Sequence, residues 1–279
     1  MNITIIGTGL IGGSMAMGVR GFQTHIVGVD KNPANTLKAL ELGIVDEVAE
    51  LDDAITRCDL CVLAIPVDGA RQIISRILDG IPEQSVVIDV GSTKAGICKV
   101  VENHPKRGNF VASHPMAGTE NSGPEAAFAD LFKRKKTIIC EAELSSDFAL
   151  KQAQTLYSIL GMNILYMSPE EHDKHIAYVS HLTHVIAYAL SLTVQEIEKD
   201  EKAIFEMAGS GFDSTVRIAK SSTDMWTPIF QQNADFLTDS IDKYIDVLQR
   251  FKQVIADKNH DALYDLIKEA NKIRAVLDK

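Results

Sequence analysis

Four stretches of the chain carry side chains that could move a proton or hold an acid. Ser113-His114-Pro115-Met116-Ala117-Gly118-Thr119-Glu120 leaves one apolar run, and Asp89-Val90-Gly91-Ser92-Thr93-Lys94 leaves another. Histidine is the natural proton acceptor near neutral pH. A hydroxyl being oxidised to a ketone must lose its proton as a hydride leaves, and a placed base contributes about 10²- to 10⁴-fold. From residue types alone, His114 is either such a base or a turn histidine bonded to backbone. Ser92 either meets His114 or caps a helix.

The third stretch begins at Ser168 and holds His172, His175, His181 and His184, four of the chain's eight histidines. His181, His184 and Tyr188 fall at i, i+3 and i+7 and so share a helix face. Zinc is one reading, but the pair lacks a thiolate or an H-E-x-x-H context. The reading preferred is a wet, polar cleft face whose imidazoles donate to an anionic substrate, with no metal. The fourth stretch is Gly209-Ser210-Gly211-Phe212, followed by Arg217 and Trp226. A guanidinium grips a carboxylate through two parallel hydrogen bonds. The commoner fate of a lone arginine is a surface ion pair.

A departing hydride needs an acceptor, and the first thirteen residues suggest one. Asn2 to Gly13 reads as a buried strand, a glycine turn and a helix, with Gly7, Gly9 and Gly12 spaced G-x-G-x-x-G. In a dinucleotide-binding βαβ unit the first glycine makes the turn. The second lets a pyrophosphate approach the backbone, and the third lets helix pack on strand. The helix from near Leu10 and Ile11 aims free N–H groups at the phosphates. A second strand, His25 to Val29, ends in Asp30, eighteen residues past Gly12 (30 − 12). An acid there bonds the ribose hydroxyls of NAD and repels the extra phosphate of NADP; Lys31 beside it could soften that preference. Ile65, Pro66 and Ser92, at the carboxyl ends of two further strands, complete the expected cofactor set.

These residues need a scaffold. From residue 1 to 166, strands alternate with helices, including the continuous apolar run Asp59 to Ile65, typical of parallel strands covered on both faces. Ligands bind beyond the carboxyl ends of such strands. The fold class expected is α/β: a Rossmann-type doubly wound sheet with extra strands, then an all-α helical domain. The boundaries expected are 1–166 for dinucleotide binding and 167–279 for substrate binding and dimerisation. At the seam, Ser168-Pro169-Glu170-Glu171 reads as a capping box with proline at the first helical position. Beyond it, Leu237, Ile241, Tyr244, Leu248, Phe251 and Ile255 form one apolar stripe. Leu263, Ile267, Ala270, Ile273 and Leu277 form a second. They imply either packing within the chain or a subunit interface.

Bulk properties narrow the class. With 279 residues, 46% hydrophobic and 24% charged, the chain has the composition of a globular protein. A net charge of −10 argues against broad nucleic-acid or anionic-membrane binding. There is no basic leader, no signal core and no apolar run near twenty residues, so a cytoplasmic protein is expected. Lys133 to Lys136 reads as a solvated loop. Cys58 and Cys61 form C-x-x-C but run into a strand instead of opening a helix, which favours buried thiols over a redox pair.

Taken together, the motifs resemble the prephenate/arogenate dehydrogenase family of tyrosine biosynthesis, over nearly the whole chain. The carriers are GTGLIGGS at the start, DVGSTK around Ser92, SHPMAGTENSG around His114, HDKHIAYVSHLTHVIAYAL around His181 and His184, and GSGFDSTVRIAKSSTDMW around Arg217. The resemblance implies oxidative decarboxylation of prephenate to 4-hydroxyphenylpyruvate with NAD. It implies that His114 deprotonates the ring hydroxyl and that Ser92 orients His114 and the hydroxyl. Arg217 would grip a substrate carboxylate, His181 and His184 would line the pocket, and Thr119 and Glu120 would shape or gate its mouth. It further implies a homodimer through the helical domain. Some relatives carry a chorismate mutase segment or a regulatory ACT domain; neither is expected here, so feedback through such a domain is not expected either.

Three alternatives stand beside this reading. A β-hydroxyacid-type dehydrogenase shares the plan but normally places a lysine where this helix presents histidines. A dinucleotide-binding sensor would need neither His114 nor Arg217. A metal-dependent hydrolase would rest on the histidine helix alone. Arogenate in place of prephenate is left open by the sequence.

Overall fold

The computed structural model describes residues 1–199 and 204–277. They form two compact units, Met1–Asn233 and Ala234–Lys279, the second described here as far as residue 277.

The first unit is built on eight strands: β1 (Asn2–Ile6), β2 (His25–Val29), β3 (Glu47–Val48), β4 (Leu60–Leu63), β5 (Val86–Asp89), β6 (Phe110–Pro115), β7 (Lys136–Cys140) and β8 (Asn163–Met167). They lie in one sheet in the order β3-β2-β1-β4-β5-β6-β7-β8. Neighbours run parallel except β6 and β7, which are antiparallel. The first six strands therefore follow the dinucleotide-binding order, with the switch point between β1 and β4. The extra strands β7 and β8 extend the far edge.

The continuous apolar runs have a direct cause. Successive side chains on a strand point to opposite faces, and here both faces are covered. Ile3, Ile5, Leu60, Val62, Val86 and Ile88 enter one core layer; Ile6, Cys61, Leu63 and Val87 enter the other. On the first layer lie α1 (Leu10–Gly18) and, from further on, the helix Asp147–Ile159. On the second lie the helices Val67–Gly80 and Ala95–Val101. In chain order the helices are α1, α2 (Pro33–Glu41), α3 (Leu51–Thr56), α4 (Val67–Gly80), α5 (Ala95–Val101) and α6 (Asp147–Ile159).

The same unit continues through α7 (Pro169–Ile176), α8 (Leu182–Glu198), α9 (Ser210–Val216) and α10 (Thr223–Gln232). The expected capping box is present: Ser168 accepts from the backbone of Glu171, and Glu171 accepts from the backbone of Ser168. Between α7 and α8 the chain makes a π turn, Ala177–His181. The first compact unit thus extends to Asn233. The reason lies in packing: Trp226, Ile229 and Phe230 of α10 share a core with Val67 at the start of α4.

The helical run Pro169–Glu198 spans 30 residues, and its most apolar window has mean hydropathy 1.2. By length and composition it is long enough to cross a membrane, unlike the expectation of no such run. Polar residues scattered along it hid this in the sequence. Three of them, His172, Asp173 and His181, are buried and hydrogen-bonded to other segments.

The second unit contains α11 (Ala234–Ala256), α12 (His260–Ala270) and α13 (Arg274–Leu277). Its helices pack on each other, yet Ile245, Leu248, Ile255, Ile267, Ile273 and Leu277 are exposed.

Candidate active site

The glycine turn joins β1 to α1 and each glycine has a distinct environment. Gly7 has φ +96°, and a Cβ there would lie 2.3 Å from the carbonyl oxygen of Ala64 beyond β4. A Cβ at Gly12 would lie 2.0 Å from the carbonyl oxygen of Gly7, so only glycine lets α1 sit this close. At Gly9 a Cβ would meet nothing nearer than 4.0 Å. The backbone therefore faces open space at the end of α1, as a cradle for a pyrophosphate would require. Leu10 and Ile11 begin the helix there. Asp30 lies beside the turn: its Oδ2 accepts from the Thr8 amide at 3.0 Å, and its Oδ1 from the Asn32 amide at 2.9 Å. Ile65 and Pro66 follow β4, and Pro66 caps α4. Ser92 is half-buried in the loop after β5. These positions share the carboxyl edge of β1, β2, β4 and β5, and they fit a dinucleotide.

His114 sits within β6, paired with Ile138 of β7, and not in the loop that follows. It is 9% exposed. Its Nδ1 lies 2.8 Å from His172 Nε2 on α7, and His172 Nδ1 lies 2.7 Å from Asp173 Oδ1. Asp173 in turn accepts the amides of Lys94 at 2.8 Å and Ala95 at 2.9 Å. The loop after β5 is thereby fastened to α7. Lys94 is fully buried, paired with Asp89, and donates to the Ser113 carbonyl at 2.7 Å. Ser113 also bonds the Asp89 carbonyl at 2.7 Å and the hydroxyl of Tyr157. The ends of β5 and β6 are thus locked under His114.

Burial sets the charge of this group. It holds the His114 imidazole well below its usual pKa, with His172, Lys94 and His181 adding to the effect. Burial also lowers His172, although Asp173 opposes it. For Asp173, burial would raise the carboxyl, but the bonds from His172 and the two backbone amides prevail and hold it low. The site is a neutral imidazole pair over a charged carboxylate. Among the described residues His114 Nε2 has no hydrogen-bond partner. Ser92 makes none to His114 either; the orienting contact comes from His172.

The histidine face is drier than the sequence implies. His181 is 0% exposed, and burial pushes its pKa down to about 4. The Asn233 amide donates to the Asp173 carbonyl at 2.7 Å and to His181 Nδ1 at 3.0 Å. With Nδ1 accepting, the His181 proton is on Nε2, which is buried without a partner. His184 gives its Nδ1 proton to the Ser180 carbonyl at 3.0 Å and stacks on Trp226 with ring centroids 3.5 Å apart. Tyr188 and Phe230 close the cluster. The i, i+3, i+7 face persists because His181 abuts α8 directly. His175, by contrast, is exposed.

Arg217 is exposed after α9 and donates from Nη1 to Glu120 Oε2 at 2.6 Å. Thr119 is half-buried, and its Oγ1 accepts the Asn121 amide at 3.2 Å. The loop leaving His114 therefore reaches the segment that carries Arg217. Among the described residues no three His, Cys, Asp or Glu side chains are grouped to hold a metal ion. The four cysteines are free and buried, and burial raises Cys58 to about 11 and Cys140 to about 12. Such thiols remain protonated at neutral pH.

Two family models match the chain: prephenate dehydrogenase, nucleotide-binding domain, over residues 14–166, and prephenate dehydrogenase, dimerization domain, over residues 168–269. The chain belongs to the prephenate dehydrogenase family. The seam between the family's two models falls where Ser168 caps α7. A cyclohexadienyl dehydrogenase of Zymomonas mobilis is 31% identical, over 99% of this chain and 96% of that relative. A prephenate dehydrogenase of Bacillus subtilis is 29% identical, over 98% of this chain and 75% of that relative. The crystal structure of the prephenate dehydrogenase of A. aeolicus, in complex with hydroxyphenyl propionate and NAD+, superimposes with a TM-score of 0.91. It is 34% identical and covers 99% of this chain and 98% of that one.

Beyond the residues singled out in the sequence, Asp173 bonds His172 and Asn233 bonds His181, and His172 in turn contacts His114. His172 and Asp173 adjoin the capping box, which was the available signal for their place on a first helical turn. Nothing local announces a contact 58 residues away in the chain.

Proposed function

We propose that the protein catalyses the NAD-dependent oxidative decarboxylation of prephenate to 4-hydroxyphenylpyruvate in tyrosine biosynthesis. The observation that carries this reading is the Glu120–Arg217 contact. It links the loop six residues past His114 (120 − 114) to a guanidinium within the same unit, which supports a base and a carboxylate anchor acting on one substrate.

Gly7, Gly9, Leu10, Ile11 and Gly12 would hold the dinucleotide phosphates, Asp30 the ribose, and Ile65, Pro66 and Ser92 the inner part. NAD, when bound there, would supply the acceptor for the hydride that leaves C4 of the substrate ring. His114 Nε2 takes the proton of the 4-hydroxyl, so that oxygen becomes a carbonyl. Ser92 positions the same hydroxyl. Loss of CO2 from C1 then returns the bonding pair to the ring, which aromatises. The imidazolium of His114 gives its proton back to the phenolate oxygen. Aromatisation makes the sequence downhill, so the base need only be placed and neutral. Arg217 pairs with a substrate carboxylate, exchanging Glu120 for it, while Thr119 and Glu120 shape the mouth. His181, through its unpartnered Nε2–H, and His184 line the pocket. A dianionic substrate suits the Arg217 guanidinium and the His181 Nε2–H better than an apolar wall would.

Residues 1–166 serve the cofactor, and 167–279 serve substrate and dimerisation. The exposed apolar stripe of α11 and α12 supports a homodimer, as does the dimerization-domain match. The apolar run Pro169–Glu198 is read as a site helix, in a cytoplasmic protein that binds neither membrane nor nucleic acid. Arogenate is the second reading, favoured by the 25% identical, TM-score 0.80 match to Synechocystis arogenate dehydrogenase. A steady-state assay of both substrates with NAD and NADP, with identification of the product, tests the proposal. Formation of 4-hydroxyphenylpyruvate and NADH in equal amounts is expected. No reduction of either cofactor with either substrate overturns it.

A further inference from the structure

Four hydrogen bonds fix the protons on the imidazole pair. Asp173 receives the Lys94 and Ala95 amides, and an ionised carboxylate has no proton to give. The 2.7 Å contact between Asp173 Oδ1 and His172 Nδ1 therefore runs from Nδ1–H to oxygen. A neutral His172 with its proton on Nδ1 presents a bare Nε2. The 2.8 Å contact to His114 must then run from His114 Nδ1–H to His172 Nε2. His114 Nε2 is left as a lone pair, the form a base requires.

We propose that His172 is a positioning residue for the His114 base. Backed by Asp173, it selects the tautomer with Nε2 unprotonated and holds the ring still as charge arrives. This rests on the reading of His114 as the proton acceptor. Only one proton moves, from the substrate hydroxyl to His114 Nε2; His172 keeps its Nδ1 proton and Asp173 stays ionised throughout. The geometry supports a rigid arrangement because every element packed on the pair contributes to it. Asp173 faces it from α7, Lys94 from the loop after β5 with Asp89 as its buried counter-ion, and His181 from the π turn. The π turn is itself the kind of helix distortion that gathers at functional sites.

The test combines isotope-labelled histidine NMR on the unmodified protein with kinetics of His172→Leu and His172→Gln. The nitrogen shifts should show neutral His114 and His172, each protonated on Nδ1. In His172→Leu, kcat should fall about 100-fold, at the lower end of what a placed base contributes, with the NAD dissociation constant within twofold. His172→Gln puts an amide oxygen near the lost Nε2 and should recover at least about tenfold of that loss. A proton on Nε2 of His114 overturns the inference, and that measurement needs no variant to fold. So does a kcat within twofold of the unmodified protein in His172→Leu, or equal loss in both variants, which marks a merely structural role. Absence of turnover in the unmodified protein instead removes the reading of the reaction on which the inference rests.

Discussion

Arg217 Nη1 lies 2.6 Å from Glu120 Oε2, across 97 residues of chain. The pair is solvent-accessible, so its own contribution to stability is small. Its consequence is positional: the guanidinium is held near the loop from β6. Arg217→Ala should therefore raise the KM for prephenate about 10- to 100-fold, the range of a charge-assisted hydrogen bond, with a smaller effect on kcat. An unchanged KM would mean that the arginine is structural.

The pH dependence of kcat/KM follows from the burial of His114. Protonation of the base abolishes its function, and burial moves that protonation well below the usual 6.5. Activity should therefore persist as the pH falls through 6.5 and decline only at lower values. The profile of kcat/KM reports groups of the free enzyme. An inflection at or above 6.5 assigned to His114 would contradict the arrangement.

Much of this site was readable in advance because its signals are local. Gly7, Gly9 and Gly12 answer to steric demands within a dozen residues, and Asp30 ends the very next strand. His114 is legible as lying near the end of a strand because the apolar run Phe110 to Ala112 precedes it, although β6 continues through His114 to Pro115. The partnership of His114 with His172 was not readable, since no periodicity links positions brought together only by the sheet and α7. The π turn was hidden for a different reason: one extra residue per turn leaves His181, His184 and Tyr188 still in α-helical spacing. The dryness of His181 depends on Asn233 and Trp226, neither of which is its neighbour in sequence. The edge of the first unit at Asn233 likewise follows from α10 packing on α4, which composition does not reveal.

Asp30 accepts from the Thr8 amide of the glycine turn, so its carboxylate is fixed beside the place where a ribose would lie. Asp30→Ala should relax the choice of cofactor, raising kcat/KM with NADP relative to NAD. Continued strict use of NAD would locate selectivity elsewhere.

The scaffold under His114 depends on a buried ion pair. Lys94→Met leaves Asp89 charged and unpaired beneath the site and should cost about 3–5 kcal/mol of stability by urea unfolding. The variant should lose turnover in parallel, because Lys94 also ties β5 to Ser113. A loss below about 1 kcal/mol would mean that Asp89 finds a replacement partner or protonates.

The central claim is that His114 takes the proton while the dinucleotide is held independently by the turn at Gly7 to Gly12. It is tested most directly by His114→Asn at neutral pH, measured for prephenate turnover and for NAD affinity in the same preparation. The account predicts NAD binding within about twofold of the unmodified protein and a fall in kcat of about 10²- to 10⁴-fold. Turnover near that of the unmodified protein would contradict it.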